Sequence, residues 1–199
     1  MKALVVYCHP RPESFNAAVK AKVLGSLQSH GVETHVADLY ADGFDPTLTA
    51  HCLEIYNSPG ENQAGLVTYC EKVAWCDTLI FVYPTWWYGM PAMLKGFLDR
   101  VLVPGLAFHL PTDGSPITPG LQHITRLGVF TTCGASWWLT RFIGAPGRRT
   151  LLRGVKLLCA RGCKTAFAAH YNMDSSTDAS RSAHLDRVGR TMDRFLQGA

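Results

Sequence analysis

Aromatic side chains crowd one short turn of this sequence. Trp86, Trp87 and Tyr88 are consecutive, and Pro84 and Pro91 bracket them. Surface loops are usually polar, so an aromatic loop either fills a core or holds a flat, apolar ligand. Three adjacent aromatic side chains cannot all point into one core. This pattern therefore favours a wall for a planar heterocycle.

A second group of candidate residues follows the apolar segment KALVVYC (2–8). Ser14 is a good N-cap for the helix that comes next, and helix N-termini bind phosphate through free N–H groups. Ser14 and Asn16 would add side-chain donors, and Arg11 would add a positive charge. Taken alone, the stretch also fits an ordinary serine cap.

A third candidate is the stretch Thr131, Thr132, Cys133 and Gly134. Its small residues let backbone N–H groups approach the edge of a ring. Such donors stabilise a flavin as negative charge develops at N1 and O2 on reduction. An ordinary turn after a strand remains the alternative.

The elements that would position these residues alternate along the chain. Apolar strands are predicted at 2–8, 32–39, 78–83, 127–132 and 164–170, and helices at 14–31, 66–75, 90–101 and 150–160, with a short one near 49–56. A C-terminal helix buries Leu185, Val188, Met192, Phe195 and Leu196 at helical spacing. The pattern predicts a single α/β domain over 1–199, a flavodoxin-like doubly wound parallel sheet of five strands in the order 2-1-3-4-5, with helices on both faces.

In that order the carboxyl ends of strands one, three and four meet at one crevice, where ligands of open parallel sheets bind. The three stretches described above follow those three strands. Neither GxGxxG nor GxxxxGK[ST] is present. Ordinary NAD-Rossmann and P-loop sites therefore lack their phosphate-binding turn.

Composition excludes several other classes. Hydrophobic residues make up 47% and charged residues 17% of the 199, which is enough for a sizeable core. No window of about 18 apolar residues is present, and the N-terminus does not resemble a signal peptide, so we expect no membrane span. Seven cysteines within apolar segments indicate reduced thiols and a cytoplasmic location. We expect no metal site and no nucleic-acid partner, because Cys159 and Cys163 stand without other paired ligands and the basic residues match no recognisable module.

Charge is unevenly distributed along the chain. No acidic residue lies between Asp113 and Asp174, and this acid-free segment carries Arg126, Arg141, Arg148, Arg149, Arg153, Lys156, Arg161 and Lys164. It is either a solvated basic face or a site for an anion such as a nucleotide phosphate. Arg148 and Arg149 follow the turn 144–147. We hypothesise that they contact the phosphates of a nicotinamide donor, with a preference for NADPH.

Several motifs together resemble one family, the flavodoxin-like NAD(P)H:quinone oxidoreductases. This DT-diaphorase family includes bacterial modulators of drug activity and ancillary oxidoreductases of potassium efflux systems. The resemblance covers residues 2 to 134. It rests on His9 with SFN (14–16), DLYADGFDP (38–46), YPTWWYGMPAMLKGFLDRVL (83–102), VPGLAF (103–108) and TTCG (131–134), where the family commonly has two glycines after the threonines.

The resemblance implies a bound FAD or FMN, and FAD is favoured because DLYADGFDP and the long loop after it resemble the FAD-binding members most. Ser14, Phe15 and Asn16 would hold the phosphates, assisted by His9 and Arg11. The isoalloxazine would contact Pro84, Thr85, Trp86, Trp87, Tyr88 and Gly89, and its pyrimidine edge would face Thr131, Thr132, Cys133 and Gly134.

The implied activity is two-electron transfer from NAD(P)H through the flavin to a quinone or similar acceptor, in a ping-pong cycle and in a homodimer. The alternative is a flavin-binding ancillary subunit docked on a membrane transporter. A one-electron flavodoxin carrier is disfavoured, because HPRPESFN replaces the Ser/Thr- and Gly-rich phosphate loop of those proteins.

One departure from the family concerns the acceptor pocket. Members of the mammalian type have a Tyr and a His a little beyond the threonine-glycine loop, but residues 135–149 contain neither. We therefore assign no catalytic acid or base. The candidate substrate contacts are Trp137, Trp138, Arg141, Arg148 and Arg149.

Overall fold

A five-stranded parallel sheet forms the centre of the molecule in the computed structural model, which describes residues 1–111 and 114–197. The strands are β1 (Lys2–Tyr7), β2 (Glu33–Asp38), β3 (Thr78–Thr85), β6 (Arg126–Cys133) and β7 (Lys164–His170). Their order is β2-β1-β3-β6-β7, which is the predicted 2-1-3-4-5 arrangement. Asp113, which bounds the acid-free segment, lies outside the described residues.

Helices cover both faces of this sheet. They are α1 (Phe15–Ser29), α2 (Ala50–Glu54), α3 (Val67–Trp75), α4 (Ala92–Val101), α5 (Trp137–Ile143), α6 (Pro146–Arg149) and α7 (Asp178–Leu196). Helices α1 and α7 pack against one face, where Val19, Val23, Val188 and Met192 are fully buried. Helices α3 and α4 bury Val73, Leu94 and Phe97 against the other. The predicted doubly wound fold is confirmed.

The strands that carry the site extend further than predicted. β3 runs two residues beyond Tyr83, and β6 begins one residue earlier and ends one later than predicted. Pro84 pairs in register with Thr132, and Thr85 with Cys133. Two of the predicted site stretches therefore begin inside the sheet, and their position is fixed by backbone pairing.

Two regions differ from the sequence prediction. The predicted helix at 150–160 is a helical run without α geometry, with a π turn over Thr150–Gly154 and a 3-10 turn over Val155–Leu158 that continue directly from α6. A small antiparallel hairpin, β4 (Phe108–His109) with β5 (Thr118–Pro119), was not predicted, because each strand has only two residues. Within the described residues, no helix is long and apolar enough to span a bilayer.

Two of the motifs that carry the family resemblance touch each other. A Cβ atom built on Gly96 of α4 would lie 2.4 Å from Cβ of Pro46, well inside van der Waals distance. Only glycine lets helix α4 approach the end of the DLYADGFDP segment this closely. The glycine of the Lys-Gly pair in α4 therefore has a packing role.

Candidate active site

A cavity of about 820 Å³ opens at the carboxyl ends of β1, β3 and β6. It brings together most of the residues that the sequence predicted for cofactor binding. The predicted residues that line it are His9, Phe15, Asn16, Pro84, Thr85, Trp86, Trp87, Tyr88, Thr132, Cys133 and Gly134. The three stretches are remote in sequence, and the strand order alone makes them neighbours.

The aromatic turn (86–89) is a two-residue hairpin in an unusual conformation. The Trp86 amide donates to the Gly89 carbonyl at 3.2 Å, and the Gly89 amide donates to the Trp86 carbonyl at 2.9 Å. The two central residues, Trp87 and Tyr88, both have left-handed backbones, with φ of 48° and 61°. Turns of this kind normally use Asn-Gly, because side chains with a Cβ resist positive φ. Each such residue costs on the order of 1–3 kcal/mol, and such strain clusters at functional sites.

Exposure of the aromatic turn decides between a core plug and a ligand wall. Trp87 is 93% exposed and Trp86 is 42% exposed, whereas Tyr88 is half-buried. The turn therefore fills no core. It stands at the rim of the cavity with its flat faces accessible.

A neighbouring segment braces the aromatic turn from behind. A Cβ atom built on Gly147 of α6 would lie 3.2 Å from the Gly89 carbonyl carbon, 3.2 Å from the Tyr83 hydroxyl and 3.3 Å from the Met90 nitrogen. The absence of a side chain at Gly147 lets α6 press directly on the backbone at the end of the turn.

The opposite wall of the cavity is the N-terminus of α1. Ser14 caps this helix, since its hydroxyl accepts from the Ala17 amide at 3.2 Å, and its carbonyl accepts from the amides of Ala17 and Ala18. The first two helical amides, of Phe15 and Asn16, have no intrahelical partner by position. They are the donors that a helix N-terminus offers to an anion.

A buried polar contact ties this wall to β6. The Asn16 amide nitrogen donates to the Thr132 hydroxyl at 2.8 Å, and Asn16 is 3% exposed. The Asn16 amide oxygen is buried and has no hydrogen-bond partner. An unpaired buried carbonyl costs roughly 1–3 kcal/mol, and a ligand donor in the cavity would remove that cost.

Polar side chains pair where β3 and β6 end, and one member of each pair lines the cavity. The hydroxyls of Thr85 and Thr131 lie 2.9 Å apart, and the Cys133 thiol lies 3.5 Å from the Thr140 hydroxyl. Thr131 itself belongs to a smaller cavity behind the wall, together with Thr140 and Tyr171. The side chain of Cys133 is 4% exposed and fills the place where the family commonly has glycine.

His9 adds a titratable group beside the aromatic turn. Its Nδ1 accepts from the Arg11 amide at 3.0 Å, so the neutral ring carries its proton on Nε2. The imidazole lies 6.4 Å from the Trp86 ring, centre to centre. Burial is the main cause that lowers the pKa of His9, so the ring is neutral at pH 7.

Other predicted cofactor residues lie just outside the lining. Arg11 forms an exposed ion pair with Glu13 at 2.9 Å, Ser14 caps α1, and Gly89 closes the aromatic turn. Thr131 does not line the cavity but forms a hydrogen bond with Thr85, which does. Arg11 therefore faces a carboxylate rather than the cavity.

The predicted substrate contacts also lie outside the main cavity. Trp137 and Trp138 pack edge to face at 5.0 Å, and the Arg141 guanidinium lies 5.7 Å from the Trp137 ring. The Arg148 guanidinium stacks over Phe167 at 4.9 Å, and the Arg149 guanidinium packs against the backbone at Gly144. Of helix α5, Leu139 is the residue that reaches the cavity.

Four lining residues escaped the sequence prediction: Ala135, Leu139, Met173 and Asp174. Asp174 lies against Gly134, since a Cβ atom built there would be 2.9 Å from Oδ2. Met173 and Asp174 follow β7, whose carboxyl end is the next along the same edge. Extending the strand-end argument by one strand would have found them.

A second cavity, of about 650 Å³, lies at the C-terminal end of β7. Its lining includes His170, Tyr171, His184, Arg187 and Arg190, and Phe15 of the main cavity packs its ring against both histidines, at 5.5 and 5.9 Å. Burial and the nearby Arg187 lower the pKa of His184 to about 4, so this ring is neutral. The side chains of His170 and His184 each keep one buried ring nitrogen without a partner.

Comparison with known protein families and structures identifies the family of this chain. A sequence profile of the flavodoxin-like fold family matches residues 1–188, so the chain belongs to that family. The crystal structure of Smu.1420 from Streptococcus mutans UA159 is similar, with a TM-score of 0.79 and 29% identity over 98% of this chain and 100% of that chain.

Two proteins similar to this chain carry the name of a quinone dehydrogenase. Ribosyldihydronicotinamide dehydrogenase (quinone) of Pongo abelii is 34% identical over 126 residues, which are 55% of this chain and 54% of that protein. The Rattus norvegicus protein of the same name is 33% identical over 156 residues, which are 70% of this chain and 67% of that protein. The chain spans about half the length of the first of these relatives. The resemblance found in the motifs is confirmed at the level of the family.

Proposed function

We propose that the protein is a flavin-dependent oxidoreductase that transfers two electrons from NAD(P)H to a quinone-type acceptor. One observation carries the proposal: a strained, exposed aromatic turn faces a helix N-terminus across a single cavity. A flavin has a planar ring at one end and phosphate at the other, which are the two chemistries that these walls offer. The quinone dehydrogenases among the relatives support the reaction type.

The residues present fit a flavin in both position and chemistry. The amides of Phe15 and Asn16 would hold phosphate, and the unpaired Asn16 oxygen would accept from the ligand. Residues 84–89 would lie against the ring, and the backbone of 132–134 would face its polar edge. The bound flavin would supply hydride acceptance from the nicotinamide and two-electron delivery to the acceptor.

The shape of the cavity favours a ping-pong cycle. The aromatic turn and the N-terminus of α1 line one cavity, and donor and acceptor would occupy it in turn. Each cycle consumes one NAD(P)H, one proton and one quinone, and yields NAD(P)⁺ and a hydroquinone. Because the rim is open, water can deliver the proton, and no acid in residues 135–149 is required.

We favour FAD over FMN. The second cavity lies directly behind Phe15 and carries Arg187 and Arg190, which suit the extra phosphate and nucleoside of FAD. Mass spectrometry of the released cofactor tests this choice, and release of FMN alone would contradict it.

We also propose a homodimer, on the evidence of helix α5. Trp138 is 76% exposed and Phe142 is 88% exposed, which together form an apolar surface of the kind that usually marks an interface. Light scattering of the holoprotein should give twice the 21.9 kDa of one chain. A mass of one chain at micromolar concentration would refute the dimer.

The same exposed aromatics favour one rival, an ancillary flavoprotein that docks on a membrane transporter. Steady-state oxidation of NADPH with menadione separates the two. A flavin-loaded protein that turns over less than about once per minute, far below typical enzyme rates, would favour the rival. Protein that neither carries flavin when purified nor binds it on reconstitution would overturn both.

A further inference from the structure

A third cavity lies at the opposite edge of the sheet from the main one. Its volume is about 580 Å³, and Pro119, Gln122 and residues 159–161 contribute to its lining. These residues precede β6 and β7, so this amino-edge cavity lies at the amino ends of the strands. An eight-residue strand spans roughly 26 Å at about 3.3 Å per residue, so the length of the sheet separates the two cavities.

Three cations line the amino-edge cavity: Arg153, Lys156 and Arg161. Over residues 1–111 and 114–197, no carboxylate lies within ion-pair distance of any of them. The acid-free segment that contains them supplies no acidic neighbour either. Positive charge lining a concave site without local neutralisation attracts anions.

Apart from the cations and Gln122, the lining of the amino-edge cavity is largely apolar. Leu152 and Leu157 lie beside the cations, and Leu157 is 76% exposed. The one amide side chain in the lining is already engaged, because Gln122 donates to the carbonyls of Leu158 and Cys159 at 3.3 and 2.8 Å. The cavity therefore offers cationic head contacts and an apolar surface, and little that would satisfy a neutral polar ligand.

We propose that the amino-edge cavity binds a small organic anion with an apolar body, such as a fatty acid or an alkyl phosphate. Guanidinium and ammonium groups take the anionic head through charge-assisted hydrogen bonds, and the two leucines cover the tail. The volume lies in the range of small-molecule sites, roughly 300–1,000 Å³. This site is independent of the proposed oxidoreductase function, because it shares no residue with the main cavity.

Isothermal calorimetry on the flavin-loaded protein tests the charge requirement. Decanoate should bind, and decanol, which has the same chain without the charge, should bind at least about tenfold more weakly. Lys156→Ala and Arg161→Ala should each weaken decanoate roughly ten- to hundredfold. Arg149→Ala, which removes an exposed cation of the same segment outside the cavity, should leave binding unchanged.

The location is tested by competition and by a tail variant. Leu157→Asp should weaken decanoate at least as much as Lys156→Ala, and a saturating quinone such as menadione should not displace it. Equal binding of decanol, indifference to the cavity variants, or displacement by menadione would overturn the proposal. So would binding to phosphatidylglycerol vesicles with none to monomeric decanoate, since that pattern describes a membrane contact.

Discussion

Replacing Trp87 with Asn should stabilise the protein, although it removes a large aromatic side chain. Trp87 has a φ of 48° and is 93% exposed, so it bears left-handed strain and loses almost no buried surface on truncation. Asn tolerates this backbone far better, and relief of the strain is worth about 1 kcal/mol. For a domain of this size that corresponds to a rise in Tm of roughly 2–4 °C. Gly at the same position should gain less, because it adds unfolded-state entropy.

Scanning calorimetry of flavin-free protein measures this effect without ligand stabilisation. Leu53→Asn is the matched control, since Leu53 is also mostly exposed but lies in helix α2, where Asn is the poorer helix former. The control should leave Tm unchanged or lower it. In the flavin-loaded protein, Trp87→Asn should raise the KM for the quinone, because it removes the rim of the cavity. An unchanged or lower Tm for Trp87→Asn would refute the idea that the aromatic turn stores strain.

Three further outcomes are expected. Gly96→Ala should lower the free energy of unfolding, measured by chemical denaturation, by at least about 1–3 kcal/mol, because the new methyl group meets Pro46 at 2.4 Å. The control Gly25→Ala, in open space on α1, should be neutral or stabilising. Equal effects of the two changes would contradict the packing argument. His184 has a pKa of about 4 in the folded protein against an ordinary 6.5, so the unfolded chain binds the proton more readily and stability falls as pH drops from 6.5 to 4. Tm measured between pH 6.5 and pH 4 should depend less steeply on pH in His184→Gln than in the unchanged protein. An identical dependence of Tm on pH would exclude His184 as a cause of the loss of stability. We expect the exposed guanidinium of Arg149 to contact a phosphate of the nicotinamide donor. Arg149→Ala should therefore raise the KM for NADPH about tenfold and leave the flavin content unchanged. Unchanged kinetics with both NADH and NADPH would contradict this hypothesis.

The sheet order and the grouping of three strand-end stretches were predictable, because both follow from apolar strands alternating with helices. The register that places Pro84 opposite Thr132 was not predicted, because strand order does not fix register and the predicted strand ended at Tyr83. The left-handed backbone of Trp87 was not predictable, since the local preference of a residue with a Cβ atom argues against it.

Other parts of the site depended on contacts that leave little trace in the sequence. Asp174 reaches Gly134 across a turn after β7, in a segment with no periodicity. The stacking of Arg148 over Phe167 joins two segments that are remote in sequence. Residues 150–154 form a π turn, and hydrophobic spacing does not distinguish that geometry from an α-helix.

The contact between Gly147 and the end of the aromatic turn has a consequence for protein engineering. The turn and the start of α6 are remote in sequence, yet they pack so closely that a Cβ atom at Gly147 would lie 3.2 Å from the Gly89 carbonyl carbon and would push the two segments apart by a few tenths of an ångström. A graft of residues 84–90 from a relative, made to change acceptor preference, should therefore carry the donor's counterpart of 145–147 with it. A chimaera that exchanges the turn alone would place the donor's turn backbone against an α6 segment to which it is not fitted.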